Sequence, residues 1–328
     1  PSEVGAGLQS ADARARLSDG QHGGIFVQIA TSDTLLALIS PNSSTAGTDT
    51  LEVFLANGSI DAFFQVQALE GVTGSVDVTA LAPGFAPQTV AVPIAPPALR
   101  INSLAGSIDV PDPEDPFTVQ IGVANGSGTS LSQLQRARVG GPGLSATIES
   151  SDGLVAPVRN ATTSGSTVTV SILPGELASA SSVAAGGVAL VPHVAGTTEN
   201  SATIPGFVST DAATQQITVN PGAISLLGLP ADVGSGLITN QLRARLNGSA
   251  HGGVTVRIES SDPSTALVSA ADDELGAAFI DVIVPDGGID AIFHAHGVEG
   301  TVGGVLFTVT AIGFGVASDA VNVEPPFF

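Results

Sequence analysis

The stretch that decides the fold is VGSGLITNQLRARLNGSAHGGVTVRIESSD at residues 233–262, because a close relative of it opens the chain. That relative is VGAGLQSADARARLSDGQHGGIFVQIATSD at residues 4–33, and the offset between the two is constant, since 262 − 33 = 229 and 243 − 14 = 229. Self-similarity in a fixed order is typical of an array of like modules. We therefore interpret the chain first as a set of repeats.

A weaker copy lies between these two. It contains LQRARV around Arg136 and Arg138, followed by IESSD ending at Asp152. Three copies in 328 residues give modules of about 110 residues, a size at which a domain buries roughly two-thirds of its unfolded surface. We predict three domains, at residues 1–97, 98–222 and 223–328.

Each copy alternates between short apolar strands and turns. In Ala13-Arg14-Ala15-Arg16-Leu17 the apolar residues fall on one face of a strand and both arginines on the other. Similar runs rich in Val, Ile, Thr and Phe follow, separated by turn sequences with Gly, Pro, Asn and Asp. Roughly seven short strands with a turn signal about every 8–12 residues are typical of an antiparallel β-sandwich. The predicted fold class is all-β, with tandem β-sandwich domains.

Copy two is the divergent one. From Pro97 to Arg136 is 136 − 97 = 39 residues, whereas the matching interval from Pro221 to Arg243 is 243 − 221 = 22, an excess of 17. We assign the extra residues to a stretch like FTVQIGVANGSGTS at 117–130. It follows the acidic, proline-containing segment PDPEDP at 111–116. We predict that these residues add a strand or hairpin that covers a neighbour.

The two ends of the sequence are out of phase with the repeats. Copies two and three begin with apolar strands, ALRINSL (98–104) and AISLLGL (223–229), that have no counterpart before Val4. At the other end, VNVEPPFF (321–328) resembles VPIAPPAL (92–99), where the leading strand of copy two begins. We expect either a window on a longer tandem array or a first domain that lacks its first strand and receives one from a neighbouring subunit.

The repeats resemble a known family. Runs such as VTVRIESSDPSTALVS (254–269), a following strand pair, an EG turn and TVTAIGF (308–314) are similar to bacterial immunoglobulin-like repeats of surface and secreted proteins. The resemblance covers copies one and three almost entirely and copy two in part. It implies tandem immunoglobulin-like antiparallel β-sandwich domains, used as a stalk, adhesin segment or accessory module. It brings no catalytic residues.

Composition excludes several classes of function. The net charge is −21, from 30 acidic residues against nine basic ones, all arginine. Because phosphate binding needs clustered cations, nucleic acid and anionic membranes are not expected partners. No apolar run reaches the roughly 18 residues of a membrane span. Without cysteine or lysine there is no disulfide, thiolate nucleophile, zinc-thiolate site or Schiff base, and without Tyr and Trp a sugar-binding platform is less expected.

Six of the nine arginines lie in three R-A-R pairs. They are Arg14, Arg16, Arg136, Arg138, Arg243 and Arg245. With two-residue spacing on a strand, each pair faces one side, and guanidinium groups bind carboxylates with two hydrogen bonds. In so acidic a chain we predict inter-module or inter-subunit contacts at these residues. A solvated strand face is the alternative.

Three Ser-Asp pairs end at Asp33, Asp152 and Asp262. We predict that each aspartate accepts a backbone N–H bond from two residues further on and holds a turn. Calcium is the alternative, because carboxylates also cluster at 112–115 and 272–274, although neither cluster has the spacing of a known calcium loop. No cofactor is expected.

Two histidines, His294 and His296, share a strand face and could offer two imidazoles to a metal ion. The matching positions in copy one are Gln65 and Gln67, which favours a polar strand face. No Ser/His/Asp arrangement with a nucleophile elbow is present. Enzyme activity is therefore not predicted.

The sequence predicts a non-enzymatic extracellular or cell-surface structural protein, a tandem segment of a stalk, surface layer or self-assembling filament. The alternative is an adhesive or ligand-binding module, accessory to an enzyme elsewhere in a longer protein. Expected partners are copies of the chain itself or neighbouring modules, by strand addition at the N-terminal module.

Overall fold

The computed structural model describes residues 3–326, so Phe327 and Phe328, where a further leading strand was predicted to begin, lie outside the described residues. Strands dominate the described part, and its helical elements are two short 3₁₀ turns, Val183–Ala185 and Asp211–Ala213. The alternating apolar runs therefore form the predicted all-β fold.

The first sandwich contains nine strands. They are β1 (Val4–Gly5), β2 (Leu8–Gln9), β3 (Ala13–Arg16), β4 (Ile25–Thr31), β5 (Ala37–Ser40), β6 (Thr50–Leu55), β7 (Asp61–Ala68), β8 (Gly74–Leu81) and β9 (Gln88–Ala95). One sheet has the order β1-β9-β8-β4-β6, with β1 parallel to β9. In the facing sheet β2, β3 and β5 all pair antiparallel with β7.

The second sandwich is larger and less regular. Its strands are β10 (Pro97–Asn102), β11 (Ser107–Asp109), β12 (Asp115–Ala124), β13 (Leu131–Leu134), β14 (Arg136–Ala137), β15 (Leu144–Ser150), β16 (Val158–Arg159), β17 (Ser164–Gly165), β18 (Thr167–Ile172), β19 (Val188–Leu190), β20 (Gly196–Thr203), β21 (Val208–Ser209) and β22 (Thr214–Asn220). Its sheets have the orders β17-β16-β19-β12-β10-β21 and β11-β22-β20-β15-β18. Two further strands, β13 and β14, pair with β12 and with β2 of the first sandwich.

The third sandwich repeats the first with one addition. Its strands are β23 (Ile224–Leu227), β24 (Asp232–Gly234), β25 (Leu242–Leu246), β26 (Val254–Ser260), β27 (Ala266–Ser269), β28 (Phe279–Val284), β29 (Asp290–Gly297), β30 (Gly303–Ala311) and β31 (Val316–Glu324). The sheet β24-β31-β30-β26-β28 matches β1-β9-β8-β4-β6 strand for strand. The facing sheet, β23-β25-β29-β27, has an extra outer strand, β23.

One prediction about copy two is wrong. We aligned Arg136 and Arg138 with the strand that contains Arg243, but that strand, β25, pairs with the leading strand β23 and with β29. In the second sandwich it is β12 that pairs with the leading strand β10 and with β19. The extra residues therefore follow this strand instead of preceding it. They form β13 and the segment that reaches the first sandwich.

Apolar residues from facing sheets form the cores. One cluster belongs to the first sandwich alone. A second cluster runs through the second and third sandwiches and includes Leu8 of the first. Its largest fully buried side chains are Phe117, Phe293 and Phe307, and each such burial stabilises the fold by about 1.5–3 kcal/mol. The strands of the three sandwiches fall within residues 4–95, 97–220 and 224–324, and the division into three independent domains stays a prediction.

Candidate functional site

The arginine pairs of the first and third sandwiches have the same local partners. On β3, Arg16 donates to Asp61 at 2.7 Å, and the Arg14 guanidinium lies 3.9 Å from the same carboxylate. The third sandwich repeats both distances for Arg245 and Arg243 with Asp290. The hydrogen bond from Arg16 lowers the pKa of Asp61, and that from Arg245 lowers the pKa of Asp290.

The middle pair is placed differently. Arg138 forms a two-pronged ion pair with Glu70 of the first sandwich, and its side chain is only 11% exposed. Arg136 donates to the carbonyl of Gly175, within its own sandwich, at 2.8 Å. The prediction that all six arginines make inter-module or inter-subunit contacts stays a prediction.

A junction between the first and second sandwiches surrounds Arg138. There β14 pairs with β2, and the Gln135 side chain, 1% exposed, is inserted beside the N-terminal segment. The Gly5 N–H donates to the Gln135 side-chain oxygen at 2.8 Å, and the Gln135 amide donates to the Glu3 carbonyl at 2.9 Å. The sequence around Gln135 does not single it out, because its hydrogen-bond partners lie 130 and 132 residues away along the chain.

A second junction joins the second and third sandwiches. The Gly222 N–H donates to the Gly313 carbonyl at 2.9 Å, and the Gly315 N–H donates to the Gly222 carbonyl at 2.8 Å. A Cβ atom at Gly222 would collide with the Val110 carbonyl, and one at Gly248 would collide with Pro111. Glycine is required at both positions because two segments of the chain approach each other so closely there.

The two histidines considered for a metal ion lie on the polar strand face that the sequence favoured. His294 contacts the Thr239 carbonyl at 3.1 Å, and His296 contacts the Ser269 hydroxyl at 2.7 Å. The counterpart of His296 in the first sandwich, Gln67, is fully buried and donates to Gln9 at 3.0 Å. In residues 3–326 no group of three or more His, Asp or Glu side chains is arranged to hold a metal ion.

The Ser-Asp turns form as predicted. Asp33, Asp152 and Asp262 each accept a backbone N–H bond from the residue two positions further on, at 2.8, 2.9 and 3.1 Å. The prediction of a turn role is confirmed. Hydroxyl hydrogen bonds from Ser264 and Thr265 also lower the pKa of Asp262.

The acidic cluster at 112–115 is dispersed among separate partners. Asp112 accepts from the Asp109 N–H, Glu114 pairs with Arg159 at 2.6 Å, and Asp115 accepts from the Ala105 N–H at 2.7 Å. The three carboxylates are each engaged by a different group. They do not converge on one point.

The first sandwich has an open groove beside β3. Within residues 3–326, β3 pairs with β7 and with no other strand. A cavity of about 550 Å³ opens between β3 and the facing strands β8 and β9. Its lining is largely apolar and includes Leu17, Val27, Phe64, Val78, Ala80 and Phe85. In the third sandwich the corresponding space contains β23, which pairs with β25 and lies against β30 and β31.

These facing antiparallel sheets, with a short early strand parallel to the last one, define the class of immunoglobulin-like β-sandwiches. No protein-family model matches the chain, and no curated protein matches it in sequence. No helix in the described residues is long and apolar enough to cross a membrane.

Solved structures with a similar fold include three bacterial surface proteins. The Yersinia pseudotuberculosis adhesin InvE is 14% identical with a TM-score of 0.32, and the match covers 70% of this chain and 58% of that one. Invasin, a bacterial integrin-binding protein, is 11% identical with a TM-score of 0.28, covering 96% and 60%. The S-layer protein SbsC is 12% identical with a TM-score of 0.25, covering 98% and 54%. The chain thus spans little more than half of each, and the likeness concerns the fold alone.

Proposed function

We propose that the chain is a non-enzymatic structural segment of a surface or secreted protein, in which successive sandwiches are held in a fixed relation. The observation that carries the proposal is the first junction. Strand pairing of β14 with β2, the buried Gln135 and the Arg138–Glu70 ion pair all cross it. Rotation of one sandwich against the other would break these directional contacts together, leaving buried polar groups without partners.

The second junction supports the same role with different chemistry. It depends on main-chain hydrogen bonds between Gly222 and the 313–315 turn and on close packing against Val110 and Pro111. Two junctions with unrelated contacts both restrict movement between neighbouring sandwiches. A spacer, stalk or surface-layer segment needs this property, because its task is to set a distance.

The strongest candidate for hydrolytic chemistry has a structural explanation. Ser269 lies 2.7 Å from the His296 Nε2 atom, but it is 1% exposed and donates to the Ala271 carbonyl. Its counterpart Ser40 makes the same kind of bond, to the Asn42 carbonyl, with no histidine beside it. A buried serine whose proton is already engaged is not a nucleophile poised for substrate.

The test measures the stiffness of the first junction. Because the chain lacks cysteine, Ser75→Cys and Ser171→Cys, both on exposed strand positions, would introduce two unique spin-label sites. Pulsed electron spin resonance should give one narrow distance distribution, which should broaden when Gln135→Ala and Arg138→Ala are added. Arg14→Ala with Arg16→Ala is the matched control and should leave the distribution narrow. A broad distribution in the unmodified junction would contradict the proposed role.

Assembly into a filament or layer is a further part of the proposal. Electron microscopy of the purified chain should show uniform filaments or sheets whose repeat is close to the spacing of the sandwiches. Dispersed single particles at every concentration would count against self-assembly and leave a stalk or spacer.

An adhesive or ligand-binding module is the second candidate, and one observation favours it. Phe26 and Phe54 are each 57% exposed and their rings lie 5.2 Å apart on the outer face of the first sandwich. Exposed apolar patches can mark interaction sites, and aromatic rings are enriched at protein interfaces. Phe26→Ser with Phe54→Ser should abolish binding to the surface or ligand if this candidate is right, and should leave the junction distance unchanged.

A further inference from the structure

The three sandwiches differ at one outer edge. Strands β6, β18 and β28 have equivalent places there, and within residues 3–326 each pairs with a single strand, β4, β15 or β26. An edge strand presents unpaired main-chain groups to other chains, and folded proteins normally protect such edges with charge, proline, a bulge or a cover. The protection at each edge therefore decides where a further strand adds.

The edge of the second sandwich is covered. The β16–β17 hairpin lies against β18, and the Asn160 side-chain amide donates to the Thr169 carbonyl at 2.9 Å. The exposed side chains of β18 are all polar, namely Thr167, Thr169 and Ser171. This edge offers no apolar surface, and its central carbonyl is already hydrogen-bonded.

The edge of the first sandwich is protected by charge. Glu52 is exposed in the middle of β6, and a neutral residue, Gln28 of β4, lies opposite it. The Thr48 hydroxyl also donates to the Thr50 carbonyl at 2.7 Å. Two β6 strands paired about Glu52 would place two carboxylates opposite each other with no cation beside them, which destabilises a strand pair.

The edge of the third sandwich has open main-chain groups. Its strand β28, FIDVIV, contains no proline and pairs with β26 without a bulge. The Ser260 N–H donates to the Ala278 carbonyl at 2.9 Å, and hydrogen-bonded pairs alternate along an antiparallel ladder. The N–H and C=O groups of Phe279, Asp281 and Ile283 therefore point away from β26, and they make no hydrogen bond within residues 3–326.

The single charge on β28 is neutralised by the neighbouring strand. Arg257 of β26 lies opposite Asp281 and donates to its carboxylate at 2.9 and 2.8 Å. The guanidinium carbon also lies 4.4 Å from the centre of the Phe279 ring. Phe279 is 47% exposed and Ile283 is 77% exposed. The edge thus presents an apolar side chain on each side of a neutral ion pair.

This edge is complementary to itself. When two β28 strands lie antiparallel about a twofold axis at Asp281, Phe279 of each strand lies opposite Ile283 of the other. All three open residues of each strand then find main-chain partners. On the inward face Ile280 lies opposite Val282, and both are half-buried in the single chain. The pairing therefore covers apolar surface on both faces of the joined sheet.

Charge favours this pairing over a mixed one. In the twofold pair, the two Asp281 carboxylates are flanked by two Arg257 guanidinium groups, so the row of charges across the joined sheets is neutral. A β28 strand paired with β6 of another copy would place Asp281 opposite Glu52, with one arginine for two carboxylates. Of these arrangements, the second β28 strand is thus the better partner for β28.

We propose that β28 pairs edge to edge with β28 of a second copy of this chain, antiparallel about a twofold axis at Asp281, so that the sheets of two third sandwiches become continuous. A twofold contact closes on itself, so it gives pairs of chains and not an open filament. The pairing joins chains side by side. It is independent of the stiff junctions on which the proposed structural role rests.

Sedimentation of the full chain tests the pairing, in enough salt to screen the net charge of −21. The chain should change from single copies to pairs as its concentration rises. Ile283→Lys should weaken this association at least about tenfold, because a charged lysine on an edge opposes strand pairing. Ile283 is mostly exposed, so the melting temperature of the variant should stay the same.

The equivalent positions on the other two edges provide matched controls. Ser171→Lys on β18 and Thr50→Lys on β6 should leave the association unchanged. The proposal is overturned by a chain that stays single at every concentration, by association that survives Ile283→Lys, or by association that is lost in Thr50→Lys.

A pair of charge variants distinguishes this contact from unspecific apolar association. Arg257→Gln leaves two Asp281 carboxylates opposite each other without cations, so it should weaken pairing at least about tenfold. Adding Asp281→Asn removes the repulsion and should restore pairing. Equal association in the single and the double variant would contradict the proposed arrangement.

Cysteine crosslinking determines the register, because the chain has no cysteine of its own. Copies with Phe279→Cys mixed with copies with Ile283→Cys should form a disulfide on mild oxidation, since opposite residues of a strand pair lie about 5.5 Å apart. Each variant alone should crosslink little, because its cysteine lies opposite an apolar residue. Crosslinking that is as efficient without mixing would rule out the antiparallel register about Asp281.

Discussion

The first and third sandwiches have nearly the same strands, but a further strand covers each of them at a different place. The third has β23 along its side and exposes Leu237, which is 55% exposed, at its far end. The first has an open side, but its counterpart residue, Leu8, is fully buried under β14 of the second sandwich. Equivalent residues of the repeat are therefore buried or exposed according to which neighbouring strand covers them. Substitutions that make one sandwich resemble the other test this dependence on neighbours.

The largest effect is expected from opening the side of the third sandwich. Ile224→Asp with Leu226→Asp would place carboxylates against the core and release β23, at a cost of about 4 kcal/mol or more of unfolding free energy. Urea denaturation followed by circular dichroism measures the loss, and hydrogen exchange should show newly exposed amides on β25. Ser225→Asp, on the outward face of the same strand, is the control and should change little. An unchanged denaturation midpoint in the double variant would show that β23 does not stabilise the sandwich.

The next effect concerns the covered end of the first sandwich. Gln135→Ala leaves the Gly5 N–H and the Glu3 carbonyl without their partner, so we expect a loss of about 1–3 kcal/mol. Hydrogen exchange at Gly5 should become as fast as at its counterpart Gly234. Gln133→Ala, two residues earlier, is the control. Equal protection of Gly5 in both variants would contradict the importance of Gln135.

A smaller loss of stability should distinguish Arg138, which lies at the first junction, from the more exposed Arg16. Arg138→Ala removes a guanidinium that is 11% exposed and bound by Glu70, which is 39% exposed. After allowance for solvent screening we expect a loss of about 1 kcal/mol. Arg16→Ala removes a pair whose arginine is 51% exposed, and its effect on the melting temperature should be smaller. Salt should weaken both contributions, the Arg16 pair more strongly. An equal loss in the two variants would remove the distinction between junction and surface.

The smallest effect is a difference in pH dependence. Burial, and to a lesser extent the nearby His294, lower the pKa of His296 from its usual 6.5. The unfolded chain therefore binds a proton more readily than the folded one, so stability should fall as the pH decreases through about 6.5. The first sandwich has Gln67 at this position. His296→Gln should flatten the decline in melting temperature between about pH 7.5 and pH 5, and a decline of unchanged slope would contradict a contribution from His296.

The outer copies could be predicted well because their residues match at a constant offset. Within residues 3–326, β3 pairs with β7 alone, and that the first domain lacks its first strand stays a prediction. The Ser-Asp turns followed from the local hydrogen bonding of aspartate, which needs no distant partner. Local patterns and repeats were therefore enough to predict most of the fold.

The junctions could not be predicted, for a physical reason. Arg136 and Arg138 alternate with Ala137 as the arginines on β3 and β25 do, although β14 pairs with a strand of another sandwich. Alternation of apolar and charged residues indicates only that one face of a strand is buried. It does not report which surface buries that face. The role of Gln135 depended on a partner that the alternation does not specify.

The short strands β1, β11 and β24 each run parallel to the last strand of their own sandwich. Tension along the chain would pull such a pair in opposite directions along its length, so its hydrogen bonds would be loaded at the same time instead of one after another. Among residues 3–326 the pairing spans three residues in the second and third sandwiches but two in the first. Under load, the first sandwich would therefore yield first.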